Sequence, residues 1–174
     1  MGKKQPTKSG YLYYIAGTLL VFDWLFIWFA GDPALQVLWY LGWIILIVGI
    51  VLIFLPLFIL PRKGKVPEGK DITHTTTIVD TGIYAIIRHP LYLGWILIYL
   101  GCILCGQHWL IVISGIAGMA CVYLISKQED RRLVERFSDN YKDYMQKVPR
   151  INFLTGVIRL IQNRKNEKGK EQNF

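Results

Sequence analysis

Four long apolar runs alternate with polar links along the chain: Tyr11–Ala30, Leu35–Leu60, Leu91–Leu104 and Trp109–Ser126. Each run predicts a helix. Its length and oiliness predict a membrane span, because a segment in lipid must satisfy its own backbone hydrogen bonds. The third run is the shortest. About fifteen residues at about 1.5 Å each reach only about 22 Å, against a hydrocarbon core of about 30 Å, so its start is expected below the headgroups. Gly42 and Gly49 in the second run, and Gly94 and Gly101 in the third, are spaced by seven. In the second run that spacing predicts close helix packing, and in the third it leaves room for another helix or a ligand. Pro56 is expected to kink the second run. Gly31-Asp32-Pro33 and Gly106–His108 read as turns, with His108 exposed at the interface.

Helical periodicity continues past the fourth run. Glu129, Leu133, Phe137, Tyr141, Tyr144 and Val148 fall on one face of a helix expected to run on through Lys147. That stripe is apolar or aromatic except for Glu129. Asp130, Arg131, Arg132, Glu135 and Arg136 are expected on the solvated face. The link Pro61–Thr81 is polar, and its β-branched stretch Thr75–Val79 disfavours helix. Ile151–Ile161 is apolar at 151, 154, 158 and 161, which predicts a helix lying in the interface. The pattern therefore predicts an all-α membrane protein: about four transmembrane helices, a cytoplasmic helical extension and a C-terminal interfacial helix. Residues 1–163 are expected to form a single domain, followed by a disordered basic tail, 164–174.

Composition sharpens the picture. Hydrophobic residues make up 53% of the chain and mean hydropathy is +0.34, too oily for an ordinary soluble domain. Formal net charge is +8, and the basic residues follow the runs. Lys3, Lys4 and Lys8 precede the first. Arg62, Lys63, Lys65, Lys70 and Arg88 lie between the second and third, and Arg131, Arg132, Arg136 and the tail follow the fourth. The links at Asp32 and Gln107–His108 carry no Lys or Arg. This is a positive-inside pattern, with both termini and the long link cytoplasmic. Because charge follows topology, nucleic acid is not an expected partner. Trp28 stands where cleavage after Ala30 would need a small residue, so the first run reads as a retained anchor. Pro6 likewise stands where a myristoylation motif on Gly2 wants Ser or Thr.

Two buried-type features read as structural. Cys102 and Cys105 form a C-x-x-C inside an apolar run with no second pair, so packing and not metal binding is expected of them and of Cys121. Asp23 lies within the first run. An acid there is a functional candidate by default. Its place toward the non-cytoplasmic end, away from the basic motif, favours a structural role with a bundle-facing partner.

The chemistry concentrates in Thr81–Trp95, TGIYAIIRHPLYLGW. Pro90 suits the first turn of a helix, which puts Arg88 and His89 at a helix N-terminus where backbone N–H groups and the dipole favour anions. Tyr92, Trp95 and Tyr99 follow on one face. A plain alternative is that Arg88 and His89 snorkel to headgroups. The chain carries no G-x-G-x-x-G, P-loop or H-E-x-x-H.

The string G-x-Y-x-x-x-R-H-P-x-Y-x-G-W resembles the signature of the integral-membrane methyltransferases that include isoprenylcysteine carboxyl methyltransferase and phosphatidylethanolamine methyltransferase. Glu129–Pro149, EDRRLVERFSDNYKDYMQKVP, is similar to that family's E-E-x-x-L-x-x-x-F-G-x-x-Y-x-x-Y-x-x-x-V-P. The resemblance implies a cofactor-binding half over 72–150 that holds S-adenosyl-L-methionine. It assigns cofactor contacts to Tyr84, His89, Pro90, Leu91, Tyr92 and Glu129. The family's H-x-L-V approach segment maps to Thr76, Thr77, Ile78 and Val79, with Thr76 in place of the histidine and His74 two residues earlier. The isoprenylcysteine enzymes place an Arg four residues before the glutamate to hold the substrate carboxylate. Here that position is Ile125, which leaves Arg88 as the candidate catalytic cation and Lys127 as the nearest other.

The resemblance thus implies methyl transfer to a lipid or lipidated acceptor entering from the bilayer, with the cofactor entering from the cytosol. A phospholipid amine is the alternative acceptor. An NADPH-dependent reductase of sterol-reductase type is a rival of another class, since such proteins carry a related R-H-P-N-Y-x-G-E. Leu91 and Trp95 replace its Asn and Glu. A non-enzymatic membrane adaptor leaves Glu129 and the motif unexplained.

Overall fold

The computed structural model describes residues 8–29, 33–65, 67, 69 and 75–171. Among them the chain forms α1 (Lys8–Phe29), α2 (Gln36–Lys63), a 3-10 turn (Gly82–Ala85), α3 (Pro90–Gly106), α4 (Trp109–Phe137), α5 (Asp139–Lys147) and α6 (Phe153–Glu171), with no strand. The expectations for Gly2, Lys3, Lys4, Asp32, Lys70 and His74 fall outside these residues.

The all-α membrane class holds. Three helices are long and apolar enough to cross a bilayer: Gly10–Phe29, α2 and α4, with mean hydropathies of 1.6, 3.2 and 2.1. α3 has 17 residues and falls short of that length, as the brevity of its apolar run implied. The outward faces are greasy. Trp28 is 85% exposed and Val37 79%, an arrangement stable only against lipid or a partner.

The chain divides into two units. The first comprises Met1–Phe54 and Leu91–Asp130. Here the sevenfold glycine spacing becomes paired contacts. A Cβ on Gly49 would lie 2.9 Å from the Gly94 carbonyl oxygen, and one on Gly42 3.0 Å from the Gly101 carbonyl oxygen. The α2 and α3 backbones touch at both levels, which only glycine permits. Leu46, Ile98, Cys102, Cys105 and Ile111 pack into a core. Both cysteines are buried free thiols, as packing residues should be. Asp23 is fully buried on α1, and Ser114 Oγ of α4 donates to its Oδ1. The bundle-facing partner expected for it is thus Ser114.

Gln107 and His108 do more than turn the chain. Gln107 accepts from the Leu35 N–H at 2.7 Å and donates to the Leu35 carbonyl at 2.8 Å, so one amide side chain fixes the start of α2. His108 is half-buried, not exposed. Its Nδ1 accepts from the Leu110 N–H at 3.2 Å, capping α4, and its ring lies 4.7 Å from that of Phe26. Asp130 also departs from expectation. It is 2% exposed, although its place in a charged run assigned it to the solvated face.

The second unit comprises Leu55–Pro90 and Arg131–Phe174. Thr75–Thr77 is not helical. It docks on the end of α2, where the Gly64 carbonyl accepts from the Thr76 N–H at 2.9 Å. Tyr141, Tyr144 and Val148 form the core, joined by Ile78, Leu133 and Phe137, so the aromatic stripe is buried as expected. The helix does not run unbroken to Lys147, however. It stops at Phe137 and restarts at Asp139, because Ser138 sits at φ +52, outside helical space. α6 begins at Phe153 and continues to Glu171, so helix extends through most of the stretch expected to be disordered.

Candidate functional site

The two sequence blocks that stood out are tied together within the second unit. Gly82 adopts φ +66, which opens the 3-10 turn bearing Tyr84. Tyr84 is buried, and the Tyr144 hydroxyl donates to its carbonyl at 2.6 Å. Burial pushes the Tyr84 phenol well above its ordinary pKa, so it stays neutral. Four residues on, the Arg88 N–H donates to the Pro149 carbonyl and the His89 N–H to the Arg150 carbonyl, each at 3.0 Å. G-x-Y and R-H-P are thus held by the segment Tyr144–Arg150.

These bonds correct one expectation. The N–H groups of Arg88 and His89 serve the chain's own carbonyls and are not presented to an anion. Nor does Arg88 snorkel. It is 8% exposed, and its guanidinium lies 5.9 Å from the centre of the Tyr141 ring. His89 is 6% exposed and Pro90, which opens α3, is fully buried.

A pocket of about 660 Å³ lies in the same unit, within the size range of small-molecule sites. Thr76, Thr77 and Ile78 of the predicted approach segment line it, with Ala85, Tyr144, Val148 and Leu160. Val79 is buried beside them in sequence but does not line it. Asp80, Phe137, Asn140, Asp143 and Lys147 also line it, and sequence reasoning had not singled these out for binding. Asn140, Asp143 and Lys147 recur at helical spacing beside the aromatic stripe, which is the signal that could have found them. Two carboxylates, an ammonium, an amide and three hydroxyls beside apolar side chains suit a zwitterion bearing hydroxyls and a flat apolar portion.

Tyr84, Arg88, His89 and Pro90 are not among the pocket's lining residues. The remaining predicted contacts, Leu91, Tyr92 and Glu129, belong to the first unit, and Glu129 is half-buried on α4. In that unit a smaller cleft of about 90 Å³ runs between α1, α3 and α4. Tyr13, Ala16, Gly17, Tyr92, Trp95, Tyr99, Val122 and Ile125 line it. The Tyr13 and Tyr92 hydroxyls are 3.0 Å apart. The aromatic face read from α3 is one wall of this cleft, and Ile125, where the resembling enzymes carry an Arg, is part of another.

Comparison with known proteins bears on this geometry. The profile of a family described as phospholipid methyltransferase matches residues 37–140. A methanethiol S-methyltransferase from Crocosphaera subtropica is 26% identical over 164 residues, which is 84% of this chain and 60% of that protein. The protein-S-isoprenylcysteine O-methyltransferase of Mus musculus is 32% identical over 99 residues, 53% of this chain and 32% of that protein. A methanethiol S-methyltransferase 1 from Bradyrhizobium diazoefficiens is 26% identical over 83% of this chain and 54% of its own length. The chain therefore spans between 32% and 60% of the length of these relatives. No solved structure matches it significantly.

Proposed function

The chain belongs to the phospholipid methyltransferase family, and from that premise we propose that it transfers a methyl group from S-adenosyl-L-methionine to a lipidic acceptor embedded in the membrane. The observation that carries this reading is the trio of hydrogen bonds from Tyr144, Arg88 and His89. They make the two motif blocks one rigid element. An adaptor has no need of such a constraint, and a snorkelling Arg88 would not be buried.

S-adenosyl-L-methionine supplies an electrophilic methyl group on a sulfonium. Thr76, Thr77 and Ile78, which line the pocket of the second unit, would hold it, and the resemblance assigns further contacts to Val79, Tyr84, His89, Pro90, Leu91, Tyr92 and Glu129. The carboxylate of Glu129 suits ribose hydroxyls. Asp80 and Asp143 suit a cationic end and Lys147 a carboxylate. Transfer to a carboxylate needs alignment and desolvation more than proton movement. Arg88 pairs with that carboxylate through its planar fork, in place of the Arg absent at Ile125. The positive-inside pattern puts both termini and this chemistry on the cytoplasmic side.

A second reading is favoured by one observation: Ile125 lines a cleft with no charged side chain. A neutral acceptor such as a thiol suits that position better than a carboxylate. The two bacterial relatives, matched over most of this chain, are named for a thiol acceptor.

Thermal stabilisation of the purified protein by S-adenosylhomocysteine, and none by NADPH, is the expected result. Transfer of labelled methyl to acyl carboxylate, amine or thiol acceptors then assigns the class. Stabilisation by NADPH alone would replace the methyltransferase reading with the reductase one.

A further inference from the structure

The cleft between α1, α3 and α4 takes one wall, Tyr92 and Trp95, from the R-H-P-x-Y-x-G-W string, and its shape constrains what this protein can take from the bilayer. No charged side chain lines it, and the polar side-chain groups among its lining residues are the hydroxyls of Tyr13, Tyr92 and Tyr99 and the indole N–H of Trp95. At about 90 Å³ it is smaller than the dry cavity of about 150 Å³ that admits a benzene ring. Tyr99 on its wall is 1% exposed and is held by a hydrogen bond from its hydroxyl to the Ala16 carbonyl. A Cβ on Gly118 would lie 2.3 Å from the Tyr99 ring, so that wall cannot retreat. The opposite rim differs. Gly17 is exposed, and a Cβ there would meet nothing within 4 Å. Gly17 thus keeps the mouth open on the surface of α1, where Tyr14, Ile15 and Val21 are exposed.

We propose that this cleft is the acceptor's subsite, that it takes one slender, uncharged, unbranched alkyl segment, and that Gly17 at the mouth and Ile125 at the wall set how much bulk it admits. The proposal rests on the methyl-transfer reading only for what becomes of the segment once bound. The binding itself follows from the cleft's geometry. A bare carboxylate or ammonium meets no side chain of opposite charge there and would carry much of its desolvation cost. A ring or a heavily branched chain needs more room than the cleft's volume of about 90 Å³ offers. The alkyl segment can come from a membrane lipid or from a small alkyl compound, and the two differ in whether binding needs a bilayer.

The test uses the full chain in nanodiscs and in detergent, with a dodecanol carrying an alkyl diazirine as photoprobe. Expected is labelling of Tyr92 and Val122 that saturates and is competed by dodecanethiol, but not by a short-chain carboxylate. Labelling of the outer face at Trp43 and Ile47 should not saturate. Competition by butanethiol in detergent would identify a small alkyl source, whereas a need for the long chain in nanodiscs would identify a lipid. Gly17→Leu should lower saturable labelling about tenfold or more, the size of effect that extra methylenes have in an apolar site, and Gly17→Ala should lower it less. Ile125→Ala should admit a methyl-branched competitor that the unaltered protein rejects. Unsaturable labelling of the cleft, or labelling indifferent to both Gly17→Leu and Ile125→Ala, would overturn the proposal. Saturable labelling without methyl transfer to any acceptor would instead retain the cleft and remove the methyltransferase reading.

Discussion

The Arg88 N–H donates to the Pro149 carbonyl at 3.0 Å, joining residues 61 positions apart. Pro149 has no N–H of its own to offer, so the segment presents only its carbonyls here, and the next residue repeats the contact with His89. The geometry of a helix start is thereby set by a distant non-helical stretch and not by the helix. An ordering device of this kind suits a site that must be rigid before its ligands arrive.

Tyr144→Phe tests that device from the other side. The Tyr144 hydroxyl is the donor to the buried Tyr84 carbonyl at 2.6 Å. Removing it leaves that acceptor unsatisfied, which costs about 1–3 kcal/mol. Thermal denaturation should show the loss, and S-adenosylhomocysteine affinity measured by calorimetry should fall with it. Full affinity in a destabilised variant would mean that the 3-10 turn bearing Tyr84 holds no part of the cofactor.

Gly94→Ala should fail where Gly17→Ala succeeds. The added Cβ at Gly94 would lie 2.6 Å from the Gly49 carbonyl oxygen, a backbone atom that cannot move alone, while at Gly17 it meets open space. Overpacking of this sort costs about 1–3 kcal/mol. Melting of the two variants in the same detergent should therefore separate them by several degrees. Equal melting would show that α2 and α3 slide freely past one another.

Ser138→Gly should stabilise the protein by about 1 kcal/mol. Ser138 takes φ +52, a region that strains a residue bearing a Cβ and not glycine. The resembling enzymes have Gly at this point of the motif. Chemical denaturation of the variant should show a higher midpoint with unchanged slope. An unchanged midpoint would indicate that Ser138 is held there by bonds worth as much as the strain.

That residue also shows where the sequence could be read and where it could not. Hydrophobic runs located the helices and the glycine spacing pointed to close packing, because packing in lipid leaves few alternatives, but which glycine faces which came only from the fold. The aromatic stripe from Leu133 to Val148 was legible for the same reason. The break at Ser138 was not, since a stripe at spacings of three and four survives a one-residue interruption between two helices. Asp130 was misplaced because charge alone suggests solvent, whereas its neighbours Ile125 and Ser126 on the preceding turn are buried with it. The pocket residues Asp80, Asp143 and Lys147 were invisible individually: exposed charges beside an apolar stripe look like any solvated face until the loop at Thr76–Asp80 is laid against them.

Arg88→Lys separates the two acceptor readings. Arg88 is buried against Tyr141, so both readings predict some loss of stability, and turnover must be compared at matched folded fraction. If the acceptor is a carboxylate, lysine keeps the charge but loses the bidentate fork, and a charge-assisted hydrogen bond worth about 1.5–3 kcal/mol disappears. Turnover should then fall about tenfold to a hundredfold with little change in S-adenosylhomocysteine affinity. If the acceptor is a neutral thiol seated against Ile125, the fork has nothing to hold, and turnover per folded molecule should stay near that of the unaltered protein. Labelled methyl transfer to a carboxylate and to a thiol of equal chain length, measured side by side in both proteins, distinguishes the cases. A loss confined to the carboxylate assigns the grip to Arg88. An equal loss with both acceptors would reject that grip and leave Arg88 as a structural cation that holds Tyr141 in place.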